Sequence, residues 1–321
     1  MPFFILIMLS CFALCVLFLV FLIPRLKKRA QQPIYAEGPD WHLKKQGTPT
    51  MGGVGFLLGI LICALAICPY LFQIGKKETA LSLLLNLCFA VLNCAVGIFD
   101  DLKKIQKKQN EGLTPAQKLI YQFIICVLYL SARAKFLGVN TTLSLFSHKL
   151  DLGFFFYPIM LFVMLGIINC ANLTDGIDAL ASSVALAIGV AVFLFSFSLD
   201  TDAPIIGALM IGATLAFLLF NLNPARIFMG DSGSLLLGAL AVSACFSLGQ
   251  PLWILAVGFV YVIEGFSVVI QVITYKVSKK RVFKMAPLHH HMELSGVHEN
   301  MIAYFGFLVT LLSSLALYFA K

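Results

Sequence analysis

Ten apolar runs divide the chain, at about residues 3–23, 52–72, 80–99, 119–138, 155–172, 178–199, 204–220, 232–248, 251–275 and 301–320. Each is close to the roughly 17 to 25 residues that a helix needs to cross a hydrocarbon core about 30 Å thick. Nothing in that core can satisfy a bare peptide group, so a spanning segment must close its hydrogen bonds within a helix or a barrel. The runs are continuous rather than alternating, which excludes a barrel. The fold class expected is therefore all-α integral membrane protein, a bundle of about ten transmembrane helices. Composition agrees, with 60% apolar and only 12% charged residues and a mean hydropathy of +0.95; a soluble domain carries roughly 25% charged residues.

No long polar stretch, repeat or low-complexity linker separates the runs, so one polytopic domain over 1–321 is expected. The nine cysteines fall in or beside the apolar runs and no C-x-x-C occurs, so they read as small core residues. The first run lacks a basic leader and a small-residue cleavage site, as a retained helix would. Ten crossings put both termini on one side. The segments after runs 1, 3, 5, 7 and 9 hold 17 of the 23 lysines and arginines, from Arg25 to Lys284. By the positive-inside rule those segments are cytoplasmic and both termini lie outside. The net charge of +8 is thus a topology signal, and a favourable field for lipid headgroups and phosphorylated substrates, with no need of nucleic acid. On the outer side, residues 139–154 alternate polar and apolar around a turn, as a short hairpin would. The last-but-one run is long and carries Gly258 and Gly265, which predicts a bend.

Ten of the fifteen acidic residues fall on the cytoplasmic side, packed into short motifs at the ends of the runs. In GIFDDLKK (97–104), Asp100 and Asp101 are adjacent, a pairing eased by a shared cation or by one proton, or simply solvated at a helix end. In NCANLTDGIDALA (169–181), Asp175 and Asp178 would share one face of a helix starting near Thr174, with Asn172 beside them. Helix capping alone accounts for Thr174 and Asp175 but not for Asp178. In NLNPARIFMGDSGSLLLGA (221–239), a glycine-rich turn around Asp231 feeds a helix whose N-terminal amides would face an anion, and Phe228 is a platform for a base. In KKQGTPTMGGVG (44–55), Lys44 and Lys45 are phosphate-reaching candidates, although no G-K-[ST] closes a Walker motif.

PLHHHME (287–293) holds three of the six histidines. Adjacent residues do not converge on one ion, and the nearby hard carboxylates suit Mg²⁺ rather than zinc. The histidines are better read as donors to substrate. Glu264 stands alone inside an apolar run, facing the bundle or a cavity. Carboxylates for Mg²⁺ with lysine and histidine for phosphate oxygens, in loops 24–51, 100–118, 172–178, 221–231 and 276–300, make the equipment of phosphoryl transfer at the inner leaflet.

KKQGTPTMGG, GIFDD, LTPAQK, NLTDGIDALA, NPARIFMGDSGSLLLG and PLHHHME, in this order and covering about 42 to 296, resemble the polyprenyl-phosphate N-acetylhexosamine-1-phosphate transferase superfamily. Within it they are most similar to the branch that uses UDP-N-acetylmuramoyl-pentapeptide. The resemblance implies ten helices with both termini outside, and attack of undecaprenyl phosphate on the β-phosphorus of that nucleotide, giving lipid I and UMP. It implies Asp231 as the main Mg²⁺ ligand, with Asp100 and Asp101 assisting with metal or with the lipid proton. The second pKa of a phosphate monoester is about 6, so little help with that proton is needed. Asn172, Asp175 and Asp178 would shape the phosphate site, Phe228 would stack on uracil, and Lys45, Thr50, Asn221 and Gln271 would line the nucleoside side. Lys118 would sit near the lipid phosphate, and His289, His290 and His291 would border the diphosphate and sugar. A homodimer within the membrane lipids is compatible with this reading. A sister enzyme using UDP-N-acetylglucosamine has a different histidine pattern. An ion-coupled transporter would place its acids at mid-membrane and show repeated halves.

Overall fold

A computed structural model describes residues 1–30, 45, 47–107, 112–145 and 148–319. Its helices are α1 (Pro2–Arg29), α2 (Gly53–Gln73), α3 (Lys77–Lys107), α4 (Pro115–Phe136), α5 (Phe156–Thr174), α6 (Leu180–Ser196), α7 (Ala203–Asn221), α8 (Gly230–Ser247), α9 (Ile254–Val257), α10 (Phe259–Ser278), α11 (Leu288–Glu293) and α12 (Glu299–Phe319). Among the described residues, nine helices are long and apolar enough to cross a membrane, and α6 adds a shorter apolar helix. The chain is thus an all-α integral membrane protein. The ten expected runs all appear as helix, within a few residues at most ends.

Three details refine the ten runs. First, the run at 251–275 is interrupted, as its glycines predict. It opens as a 3₁₀ turn and α9, then breaks at Gly258, which leaves helical geometry (φ −96°, ψ 27°) before α10 begins. Gly265, by contrast, lies within α10, where its missing side chain admits Cys170 of α5. Second, α6 begins at Leu180 rather than near Thr174. Third, α3 continues well past its apolar part. At 1.5 Å per residue its 31 residues measure about 46 Å, some 15 Å more than the hydrocarbon core.

Helix α8 is the centre of the bundle. It is buried from Asp231 to Ser247 and packs against α2, α3, α5, α6 and α7. The close packing depends on residues without side chains. A Cβ on Gly97 of α3 would lie 2.5 Å from the Ser232 amide nitrogen, and one on Gly53 of α2 would lie 2.7 Å from the Ser232 carbonyl carbon. Small residues are the usual means of bringing helices together in lipid, where apolar burial gives little drive.

At the end of α8 away from Asp231, buried polar groups tie four helices. Asn86 of α3 donates to Asp202 (2.7 Å), just before α7, and to Ser247 (2.7 Å) of α8. Tyr129 of α4 donates to the Asn86 carbonyl at 2.6 Å, and Arg133 donates to Ser82, Asn86 and the Phe246 carbonyl at 3.0 to 3.2 Å. The expected hairpin sits at this end: β1 (Thr142–Leu145) pairs antiparallel with β2 (His148–Asp151), Thr142 opposite Asp151.

Candidate active site

The opposite end gathers the acidic motifs. Contact through Gly97 sets α3 against the first turn of α8, and one turn further along α3 come Asp100 and Asp101. Asp101 accepts the backbone N–H groups of Asp231 (3.1 Å) and Ser232 (3.0 Å), so it caps α8. Asp100, Asp101 and Asp231 are all buried, and one carboxylate oxygen from each lies within 4.8 Å of the others. Three buried carboxylates so close need positive charge between them.

Two lysines supply it. Lys104, one helical turn beyond Asp100, reaches Asp100 at 2.6 Å and Asp231 at 3.2 Å. Lys118 contacts the other oxygen of Asp231 and lies 3.3 Å from the Asn172 side-chain carbonyl. The sequence LTPAQK sets Lys118 there: Thr114 and Gln117 form a reciprocal capping box and Pro115 opens α4, placing Lys118 in the first turn. Asn172 donates to Asp231 (3.0 Å) and Ser234 (2.8 Å), which fixes the Asp231 carboxylate from the side of α5. The donor set is all hard oxygen at carboxylate geometry and fits Mg²⁺ better than a soft metal.

The turn between α5 and α6 overturns one expectation. Asp175 and Asp178 do not share a helical face, because α5 ends at Thr174 and α6 starts at Leu180, with Gly176 in the turn between. The two carboxylates diverge. Asp178 is buried and accepts from Lys45 (2.9 Å), Asn223 (2.8 Å) and the Ala225 amide (3.0 Å), tying the turn to the loop after α7. Burial first, and then the nearby carboxylates of Asp231, Asp101 and Asp178, hold the Asp175 carboxyl well above the usual carboxylate range. The shift favours the protonated form over the free charge.

The remaining candidates ring this cluster. Thr50 is buried, and its hydroxyl would lie 2.8 Å from a Cβ placed on Gly230. Phe228 is partly exposed, and its backbone pairs with Pro49 and Gly52 in the Thr50 loop. Asn221 is 3% exposed and its amide is engaged with Ala179, Ser182 and the Ile227 carbonyl, so it holds the loops from beneath. Gln271 likewise clasps the backbone of Val282 and Phe283 in the basic loop after α10. Lys44 lies outside the described residues.

The three histidines of α11 point to three different partners. His289 is fully buried against Glu264 (3.1 Å), His290 meets Glu293 (3.2 Å), and His291 accepts the Lys284 amide (3.1 Å). They do not converge on one ion. Two residues of the site carried no expectation from sequence. Lys104 had a readable signal, four residues after Asp100 in a helix. Glu299, which accepts from Lys45 (2.6 Å) and the Asp178 amide (2.9 Å), had none, since its partners are distant in sequence.

Fold and site together define a polytopic membrane protein with a buried acidic cluster that could hold a hard cation, balanced by lysines, at one end of its central helix. The comparisons agree on which such proteins it joins. The glycosyl transferase family 4 model matches residues 82–249. The phospho-N-acetylmuramoyl-pentapeptide-transferase of Halalkalibacterium halodurans is 40% identical over 311 residues, 96% of this chain and 94% of that one. Proteins of the same name from Carboxydothermus hydrogenoformans (40% identical, 89% of each chain) and Staphylococcus epidermidis (41% identical, 86% of each) are similar. The chain belongs to glycosyl transferase family 4 and, within it, to the phospho-N-acetylmuramoyl-pentapeptide transferases.

Proposed function

We propose that the protein transfers phospho-N-acetylmuramoyl-pentapeptide from its UDP carrier to undecaprenyl phosphate, giving lipid I and UMP, at the cytoplasmic face of a bacterial inner membrane. The observation that carries this reading is the buried cluster of Asp100, Asp101 and Asp231 gripped by Lys104 and Lys118. It lies at the end of the bundle where the basic loops concentrate. A phosphate oxygen of the lipid attacks the β-phosphorus of the nucleotide, the bond from that phosphorus to the bridging oxygen breaks, and UMP leaves with the electron pair. Mg²⁺, held by Asp231 with Asp100 and Asp101, would neutralise charge on the diphosphate. Lys104 and Lys118 bring positive charge to the same phosphates once these compete with the carboxylates for them, so the chain contributes chiefly by positioning and charge. Asp101, locked to two backbone amides, orients Asp231. Burial and the neighbouring carboxylates raise the Asp175 carboxyl, which favours its neutral form beside the phosphates. Phe228, Thr50 and Lys45 border the side open to a nucleoside.

Purified protein in detergent with Mg²⁺ is expected to release UMP from UDP-N-acetylmuramoyl-pentapeptide only when a polyprenyl phosphate is added. Asp231→Asn should lower turnover on the order of 100-fold or more while the protein stays folded. Equal turnover with UDP-N-acetylglucosamine would refute the substrate assignment, and undiminished turnover by Asp231→Asn would remove that residue from the site.

A further inference from the structure

Glu264 is a carboxylate on the membrane-embedded part of α10, only 4% exposed. A carboxylate there is costly unless something donates to it. Its Oε2 accepts the backbone N–H of His289 at 3.3 Å and lies 3.1 Å from the ring Nδ1 of the same residue. An ionised carboxylate has no hydrogen to give, so against it the ring is the donor, with its hydrogen on Nδ1. The other ring nitrogen, Nε2, is buried and has no partner among the described residues. It lies directly beneath Gly176, where an added Cβ would overlap it and would sit 2.9 Å from Cε1. Gly176 follows Asp175 in the turn between α5 and α6. A chain of contacts thus runs from α10 through the imidazole to the turn that carries Asp175.

We propose that Glu264 is a positioning residue for the transfer: it holds His289 as the Nδ1–H tautomer, with a bare Nε2 set as an acceptor beneath the Asp175 turn. The proposal rests on the transferase reading above. A buried polar atom left without a partner costs about 1–3 kcal/mol, and such atoms tend to have a role. The group suited to a bare Nε2 is an O–H or N–H donor, not a phosphate oxygen. This departs from the expectation that all three histidines are donors to the substrate's diphosphate and sugar. In other enzymes a carboxylate that fixes the tautomer of a working imidazole does so without touching substrate.

The test uses full-length protein with ¹⁵N-labelled histidine in lipid nanodiscs, with the His289 signals assigned by their loss in His289→Asn. The wild type is expected to show a protonated Nδ1 and an unprotonated Nε2, and Glu264→Gln is expected to lose that preference. A wild-type ring with its hydrogen on Nε2, or on both nitrogens, overturns the proposal whatever the kinetics. In the UMP-release assay, Glu264→Gln should lower kcat by about 10–100-fold, with KM changed much less. In a His289→Ala background the same substitution should add almost nothing. Unchanged kcat in Glu264→Gln, or losses that multiply in the double variant, would also overturn it. Should the wild type release no UMP, the transferase reading fails, while the tautomer measurement still decides the link between Glu264 and His289.

Discussion

Replacing Gly97 with alanine perturbs the site without touching any group that bears charge. The added Cβ would lie 2.5 Å from the Ser232 amide nitrogen, and ordinary contact begins near 3.4 Å. Helix α3 must therefore retreat from α8 by about 1 Å. The two hydrogen bonds from the start of α8 to Asp101, now 3.1 and 3.0 Å, would stretch to about 4 Å, beyond hydrogen-bonding range. Asp100 and Lys104 ride on the same helix, so the whole cluster would widen on one side. Overpacking of this size costs about 1–3 kcal/mol of stability, and misplacing reacting groups by 1 Å costs about 100-fold in rate. Gly97→Ala should thus remain folded in a thermal melt, with Tm lowered by several degrees, and lose about 100-fold in UMP release at saturating substrate. Wild-type turnover in a folded Gly97→Ala protein would refute the claim that the α3–α8 contact sets the carboxylate geometry.

Two further predictions concern stability. Arg133→Met removes three buried hydrogen bonds at the far end of α8. The loss should be on the order of 3 kcal/mol, or roughly 5–10 °C in Tm, with KM for the nucleotide unchanged; an unaltered Tm would show that the network holds nothing together. The second follows from the raised Asp175 carboxyl. The folded protein keeps a proton there that the unfolded chain, with a carboxyl pKa of about 3.9, gives up. Stability from this group is complete below about pH 4 and is lost as pH rises through the folded value. The Tm advantage of Asp175→Asn over the wild type should accordingly be near zero at acid pH and grow as the pH is raised. A difference independent of pH would contradict the held proton.

What was legible in the sequence is what lipid or local chemistry dictates. The apolar runs had to be helices, the alternation at 139–154 had to pair, and Gly258 interrupts its run as the sequence suggested. Asp100, Asp101 and Asp231 were readable as one site because each ends an apolar run on the same side. Asp178 was misplaced because capping signals around Thr174 were read as a helix start, whereas the D-G step at 175–176 is also a turn signal. Asn221 and Gln271, which the resemblance puts beside the nucleoside, also brace neighbouring loops through hydrogen bonds that no local pattern announces. Glu299 and the Glu264–His289 pair join residues far apart in the chain, and no local pattern announces such a meeting.

The burial of α8 from Asp231 to Ser247 has a consequence for how the enzyme responds to its membrane. Lipids press on the outer helices, and a bilayer that is too thick or too thin is met by tilting them. The helix bearing Asp231 is buried from Asp231 to Ser247, so such strain reaches it through the helices packed around it, α2, α3, α5, α6 and α7. The acidic cluster at the start of α8 is in this sense set back from the lipid boundary, and a change in bilayer thickness meets the surrounding helices first.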